Sequence, residues 1–447
     1  MQSTVVEELE RLVPGRVHLP GTSAYVGATA VWNGAITVRP VVVAQPETPD
    51  EVQAVVRFAR EHGLPVTVRG GGHDWAGRAL NEDGLVLDLS AMREVRVDPS
   101  AREAIIEGGA TADDVVRAAE SYGLTAATGT VGDVGMVGFT LGGGYGPLNG
   151  IAGLGVDNLI EAQVVLADGQ MVTTDATHEP DLFWALRGGG GNFGVVTRIR
   201  VRLHAVATLT TGVLLFPWQQ AAAVLHRYDA LVPSIPDQLT VQCGVISGPD
   251  GHPSLFLAPT WAGDSGVAMR WIDEVRRLGN PVVDEVAPMP PSVQLHLLDA
   301  FVARGNHYEM RTVNVAGLSA GAIDALVDAG SRRTSPLSAV SIHHFHGAST
   351  RISVGDTAFG IRSPHYMVEI LAAWEPGDGA PHRKWAQSLY DELRAHALPG
   401  GYPNLIGPDQ HSQADMAYGP NGERLLKIKD RWDSTKTFAA TILPQHK

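Results

Sequence analysis

Residues 66–73 read VTVRGGGH: alternating valines, then an arginine, three consecutive glycines and a histidine. Glycine weakens strand pairing and costs backbone entropy, so a run of three after a β-branched strand serves something other than packing. Close approach of a ligand to bare backbone is the leading use, because no Cβ screens the N–H groups. The device recurs as GGG at 142–144 and GGGG at 188–191. Such nests suit phosphate or pyrophosphate oxygens, and three in one region point to a large ligand. TLGGGYGPLNG lacks the Lys-Ser/Thr of a P-loop, and no acidic partner follows at the distance a dinucleotide-binding βαβ unit requires. The last cluster has a second reading, as a helix-ending turn before the strand at 195.

The rest of the chain narrows the class of protein. Its 447 residues, 44% apolar, suit two or three domains. A net charge of −14 with no local basic cluster disfavours nucleic acid and anionic lipid as partners. The N-terminus, MQSTVVEELERLVPG, is acidic where a signal peptide is basic and then apolar, and no run of about 18 apolar residues follows. A cytoplasmic, non-membrane protein is expected. Cys243 is the single cysteine, which excludes a disulfide framework, a thiolate metal cluster and a CxxC redox pair. Redox chemistry would need an added cofactor, and no metal site is expected: His344 and His346 lack a third ligand at suitable spacing.

Patterning divides the chain. Segment 50–62 places Val52, Val55, Val56 and Ala59 on one helical stripe behind a capping Asp50, and Thr111 and Asp114 stand at capping-box spacing before another helix. AQVVLADGQMVTT (162–174) predicts a hairpin around Asp168-Gly169. In 195–203, Val195, Thr197, Ile199, Val201 and Leu203 alternate with Arg198, Arg200 and Arg202, one dry face and one wet. Beyond about residue 205 the glycine clusters stop. Helices at 219–231, 266–278, 320–333 and 382–397 then alternate with strands near 239–245, 253–261, 338–346 and 365–374, which predicts an antiparallel sheet covered by helices. The expected division is 1–204, 205–400 and a C-terminal segment, 401–447, that returns to the first domain.

Four ordered segments carry a resemblance: VTVRGGGHDWAGRAL (66–80), GTVGDVGMVGFTLGGGYGPLNGIAGLGVDNL (129–159), LFWALRGGGGNFGVVTRIRVRL (182–203) and YPNL…AYGPNGERLLKIKDRWD (402–433). From about residue 35 to 438 the chain closely resembles the FAD-linked oxidases of the vanillyl-alcohol-oxidase superfamily, berberine-bridge-enzyme-like branch. The resemblance implies an α+β fold, with a PCMH-type FAD-binding domain of two α/β subdomains (about 35–207) and an α+β substrate domain. It implies that His73 carries FAD covalently through the 8α carbon, with Arg69, Gly70, Gly71, Gly72, Asp74 and Gly77 around it. It also brings Gly129, Thr130, Gly132, Asp133, Gly135, Gly138, Thr140, Gly142, Gly143 and Val196 near the FAD, and Tyr402 and Asn404 from the C-terminal segment. Many members hold the flavin a second time through a cysteine; here that position is Val131, so a single attachment is expected. Some use a tyrosine just after the YxN motif as base, and here Leu405 stands at that point.

Flavin oxidation passes a hydride to N5, usually with a base taking a proton from the substrate. In SIHHFHG (341–347), period two separates Ile342, His344 and His346 from Ser341, His343 and Phe345. In HYMVEILAAW (365–374), the face of His365, Met367, Glu369 and Leu371 carries one carboxylate in an apolar strand, a costly placement unless it is paired or opens to a cavity. The candidate bases are Glu369 first, then His344 and His346. A strand carboxylate also suits a solvated sheet face, and close histidines also suit satisfied polar positions. The expected function is oxidation of an alcohol or related C–H bond of a small organic molecule, a secondary metabolite or sugar-like, with O2 as the second partner and H2O2 as product. A flavin-oxygen-transferring enzyme of secondary metabolism and a flavin-binding protein without turnover are the alternatives.

Overall fold

In the computed structural model, which describes residues 3–445, the opening stretch forms strand Val66–Arg69 on the edge of a four-stranded sheet. Leu85–Asp88 lies beside it, then Val42–Ala44, these three running parallel, and Val17–His18 closes the far edge antiparallel to Val42–Ala44. The two inner parallel strands are buried throughout, as strands covered on both faces must be. Helix Pro49–Glu61 supplies one cover, packing Val52, Val55, Val56, Phe58 and Ala59 with Val42, Leu85 and Leu87. Its cap is Thr48 rather than Asp50: the Thr48 hydroxyl accepts from the Glu51 N–H, and Asp50 falls inside the first turn, where its charge suits the helix dipole.

A five-stranded antiparallel sheet follows, ordered Val95–Asp98, Glu103–Glu107, Val195–Arg202, Leu159–Val165, Met171–Asp175. The expected capping box at Thr111 and Asp114 is formed. Val195, Thr197, Ile199 and Val201 are buried, and Arg200 on the other face lies between Glu103 and Glu161.

The second domain is built on an antiparallel sheet whose main path runs Val283–Asp284, Leu214–Pro217, Pro253–Trp261, Leu239–Ser247, Ala339–Phe345, His365–Trp374, His307–Val315. Helices Ala221–Leu231, Ser265–Arg276, Ala320–Ser331 and Ala380–Leu393 cover one face, sharing a core with Val241, Cys243, Val340, Ile342, Val368 and Ile370. The opposite face turns toward the first domain. Both sides are therefore covered, and along His365–Trp374 every residue except Glu369 is buried. Strand His307–Val315 escaped prediction because burial on both sides erases the period-two signal.

The C-terminal segment packs back on the first domain. The buried Lys429 Nζ donates to Asp433 Oδ2 (2.5 Å) and to the Asn192 (2.6 Å) and Phe438 (2.7 Å) carbonyls. Asn192 in turn takes the Ala440 N–H and donates to Thr441 Oγ1, which fixes residues 438–441 against the 188–191 turn. Upstream, the Gly144 N–H donates to Tyr402 Oη at 2.5 Å in a buried setting. Tyr402→Phe removes that acceptor and should cost about 2 kcal/mol, the usual penalty for stranding a buried donor. Urea unfolding checks this; an unshifted midpoint would show the bond to be neutral.

Candidate active site

A cavity runs between the first domain and the open face of the large sheet. Its first wall comprises Gly70, Gly71, Gly72, His73 and Asp74, then Gly129, Thr130, Gly135 and Gly138, then Gly190, Gly191, Gly194 and Val196, closed by residues 438–441 of the tail. Its second wall comprises Gln242, Ile246, Phe256, Met310, Ala339, Ser341, His343, Glu369 and Leu371, and Tyr145, Leu298, Phe301, Val302, Tyr402 and Leu405 also line the cavity.

Glycine is required where two loops of the first wall cross. A Cβ on Gly71 would stand 2.4 Å from Gly135 N, and one on Gly135 would stand 2.5 Å from Gly71 N. No side chain fits between these backbones. The second cluster has a different duty. A Cβ on Gly142 would meet the Asn404 amide, and one on Gly143 would meet the Tyr402 ring, so these glycines admit the C-terminal segment. At 188–191 the helix-ending turn is formed, and part of it also reaches the cavity. Gly188 and Gly190 take left-handed turn conformations at the end of helix Pro180–Gly189, and Gly190 and Gly191 line the cavity.

Of the residues expected around the cofactor, Arg69, Gly77, Gly132, Asp133, Thr140, Gly142 and Gly143 lie behind the lining. Arg69 donates to the buried Asp88 (2.9 Å) and to the Ala30 carbonyl, so its charge is balanced away from the cavity. Asp74 pairs with Arg78, whose guanidinium also donates to the Asn404 and Ile406 carbonyls and ties the loop to the C-terminal segment. Asn404 Nδ2 donates to the Phe139 carbonyl at 3.1 Å.

His73 stacks on Trp32 with ring centres 4.7 Å apart, and Trp32 stacks on Tyr308 at 3.8 Å. Asp133 Oδ1 lies 3.2 Å from His73 Nε2 and its Oδ2 accepts from Arg304 at 2.9 Å. His73, first, and Arg304 hold the Asp133 carboxyl down at about 2 against the cost of burial.

On the facing sheet, Ser341 and Glu369 are register partners, which puts their side chains on one face with His343. Glu369 Oε2 accepts from the Tyr145 hydroxyl at 2.9 Å and lies 3.2 Å from His343 Nε2. Burial, and then the neighbouring Glu369 charge, push the Tyr145 hydroxyl well above its ordinary range, so it remains a donor. Oε1 takes no hydrogen bond from the described residues and is the carboxylate oxygen left to the cavity. Gln242 donates to Ser341 at 2.7 Å and extends this polar strip.

The structure thus joins Glu369 to His343 and Tyr145, not to His344 or His346. Those two stack on each other at 4.1 Å on the sheet's other face, His346 beside Thr240. Burial depresses His344 to about 3 and His346 to about 4, as it does His204 and His365, both to about 4. From about pH 6.5 downward the unfolded chain takes up protons that the folded chain refuses, so stability falls toward pH 4 by at most about 1.4 kcal/mol per pH unit for each group. The thermal midpoint should fall between pH 7 and 5, and less steeply in His344→Gln. Equal slopes in both proteins would exclude His344 as a contributor.

Sequence reasoning missed Tyr145, His343, Trp32 and the tail at 438–441. Tyr145 does follow the second glycine cluster directly, a signal that it sits where that loop meets the cavity. Among the described residues no trio of His, Cys, Asp or Glu could hold a metal ion, and no helix is long and apolar enough to cross a membrane.

The chain is similar to proteins already known. The model of an FAD binding domain matches residues 40–175. The chain is 30% identical over 438 residues to the FAD-linked oxidoreductase aurO of Gibberella zeae, covering 95% of this chain and 84% of that protein. The structure of 6-hydroxy-D-nicotine oxidase from Arthrobacter nicotinovorans superposes with a TM-score of 0.87 at 27% identity, over 96% of this chain and 97% of that one. BBE-like 1 from Physcomitrella patens shares the fold, with a TM-score of 0.89 at 23% identity over 100% of both chains. Fold and site define an FAD-dependent oxidoreductase. The chain belongs to the FAD-linked oxidoreductases.

The residues present fit FAD. The first wall presents bare glycine backbone at Gly70, Gly71, Gly129, Gly135, Gly138, Gly190 and Gly191, and the His73 imidazole lines the same cavity. FAD would lie along the glycine wall, between His73 and the strip of Glu369, His343 and Tyr145.

Proposed function

We propose that this protein is an oxidase holding FAD through a single bond to His73, and that it oxidises an alcohol or related C–H bond of a small organic molecule, with O2 as electron acceptor and H2O2 as product. The observation carrying this reading is the placement of Glu369, half-hidden in an apolar sheet, with one oxygen occupied by Tyr145 and His343 and the other open toward the cavity. Tyr145 and His343 orient the carboxylate, and Oε1 takes the substrate's hydroxyl proton. Bound FAD supplies the two-electron acceptor for the adjacent C–H bond. Val131 stands where a cysteine would give a second attachment, and Cys243 is buried in the helix-covered core of the other domain.

The sheet wall also bears on the substrate. Ile246, Phe256, Phe301 and Ala339 form one apolar cluster, and Met310, Leu371, Val302 and Leu405 join another around Trp75. Among the described residues, Arg78 is the one Lys or Arg lining the cavity, and Asp74 already pairs it. Anionic substrates meet no counter-charge here, and sugars meet too few polar partners for their hydroxyls. A substrate largely apolar around one hydroxyl fits best. Benzylic and alicyclic alcohols should bleach the flavin with kcat/KM at least about 10-fold above glucose or cellobiose, as the burial of a few methylene equivalents requires. One H2O2 should form per alcohol oxidised. Preference for the sugars, or turnover without peroxide, would overturn the reading.

A further inference from the structure

We propose that Asp133 is the positioning residue for attachment of the cofactor: it holds the proton on His73 Nε2, leaves the Nδ1 lone pair to form the bond, and stabilises the cation that bond formation creates. The inference rests on the histidyl attachment proposed above and assigns a duty to a side chain outside the cavity lining.

The geometry around the imidazole carries it. One ring face is covered by Trp32, which is fixed by donating its Nε1–H to the Val302 carbonyl and its backbone N–H to the Gly72 carbonyl. Nε2 is buried, and its nearest charged partner is Asp133 Oδ1 at 3.2 Å, off the ring N–H direction. A buried nitrogen cannot meet a ligand in the cavity that His73 lines, so Nδ1 is the nitrogen left to do so. Asp133 is itself held in place. Arg304 donates to its Oδ2 (2.9 Å) and, with the same Nη2, to the Gly71 carbonyl (3.3 Å), within the glycine run. Carboxylate, imidazole and glycine loop thus form one unit, and Arg304 reaches it from the segment just before strand His307–Val315.

A neutral imidazole exists as two tautomers, and only the nitrogen without a proton is nucleophilic. A carboxylate beside Nε2 selects the Nε2–H form, as the aspartate of a catalytic triad does for its histidine. The 8α methyl carbon of the flavin ring first gives up one proton, and His73 Nδ1 then bonds to that carbon. The alkylated imidazole, now a cation, releases the Nε2 proton. The two electrons left on the ring pass to dioxygen, which departs with the two protons as H2O2. Asp133 opposes the positive charge while it exists, and a neutral side chain cannot.

The test compares purified wild-type protein with Asp133→Asn and Asp133→Ala, each incubated with excess FAD in air, desalted at intervals and precipitated with acid. Flavin retained in the pellet, with the mass of the intact chain, reports covalent attachment; flavin released reports non-covalent binding. Attachment should slow by about 10-fold in Asp133→Asn, which keeps an acceptor oxygen but no charge, and further in Asp133→Ala, while total bound flavin stays near wild type. Wild-type rates in both variants would overturn the proposal. Loss of all flavin, bound and attached, from both would assign Asp133 to the fold and overturn it too. Wild-type protein that never attaches FAD would refute the attachment itself, a failure separate from an idle Asp133.

Discussion

His73→Ala protein, desalted and precipitated with acid, should leave all of its FAD in the supernatant, whereas the wild-type pellet stays yellow and its intact chain carries the mass of an added FAD. The substitution removes the one nucleophile that the glycine loop presents to the cavity and leaves the walls alone. Gly71 and Gly135 still cross, the tail at 438–441 still closes the cradle, and Trp32 still stacks on Tyr308. The variant should therefore fold and bind FAD reversibly. Its flavin should be the weaker oxidant, since an imidazole at the 8α position withdraws electrons from the ring. Free flavin from acid-treated wild type would end the covalent assignment.

Glu369→Gln should slow flavin reduction by an alcohol by about 100-fold while changing substrate affinity little, the pattern of a lost general base. Glutamine keeps the volume of the side chain and an oxygen to accept the Tyr145 hydroxyl, so the strip retains its shape. What disappears is the capacity to take a proton at the oxygen facing the cavity. His343→Gln and Tyr145→Phe, which only orient the carboxylate, should cost less than Glu369→Gln, and His344→Gln on the far side of the sheet should leave the rate unchanged. Equal losses at Glu369 and His344 would remove the distinction between the two faces and with it the assigned base.

The contrast between His343 and His344 shows where a linear reading stops. Period two separates the residues of 341–347 into two sets, and those of 365–374 likewise, and the structure keeps both sets. What the pattern cannot say is which set of one strand shares a face with which set of the next. The pairing of Ser341 with Glu369 decides that, and register depends on the whole sheet. The same limit applies to the glycine clusters. Their number announces close approaches of backbone, but whether the approaching group is a nearby loop of the same domain, as for Gly71 against Gly135, or the C-terminal segment, as at Gly142 and Gly143, depends on contacts far along the chain. Arg69 is a further case: its position beside the loop suggests a phosphate partner, and the buried Asp88 takes its charge instead.

The tail at 438–441 completes the wall to which His73 belongs, although it is synthesised hundreds of residues later. A ribosome still translating this message holds a chain with an open trough where the cradle should be. A chain that lacks residues 438–441 leaves the cavity open on that side, so a stop codon shortly before Phe438 should weaken retention of the flavin.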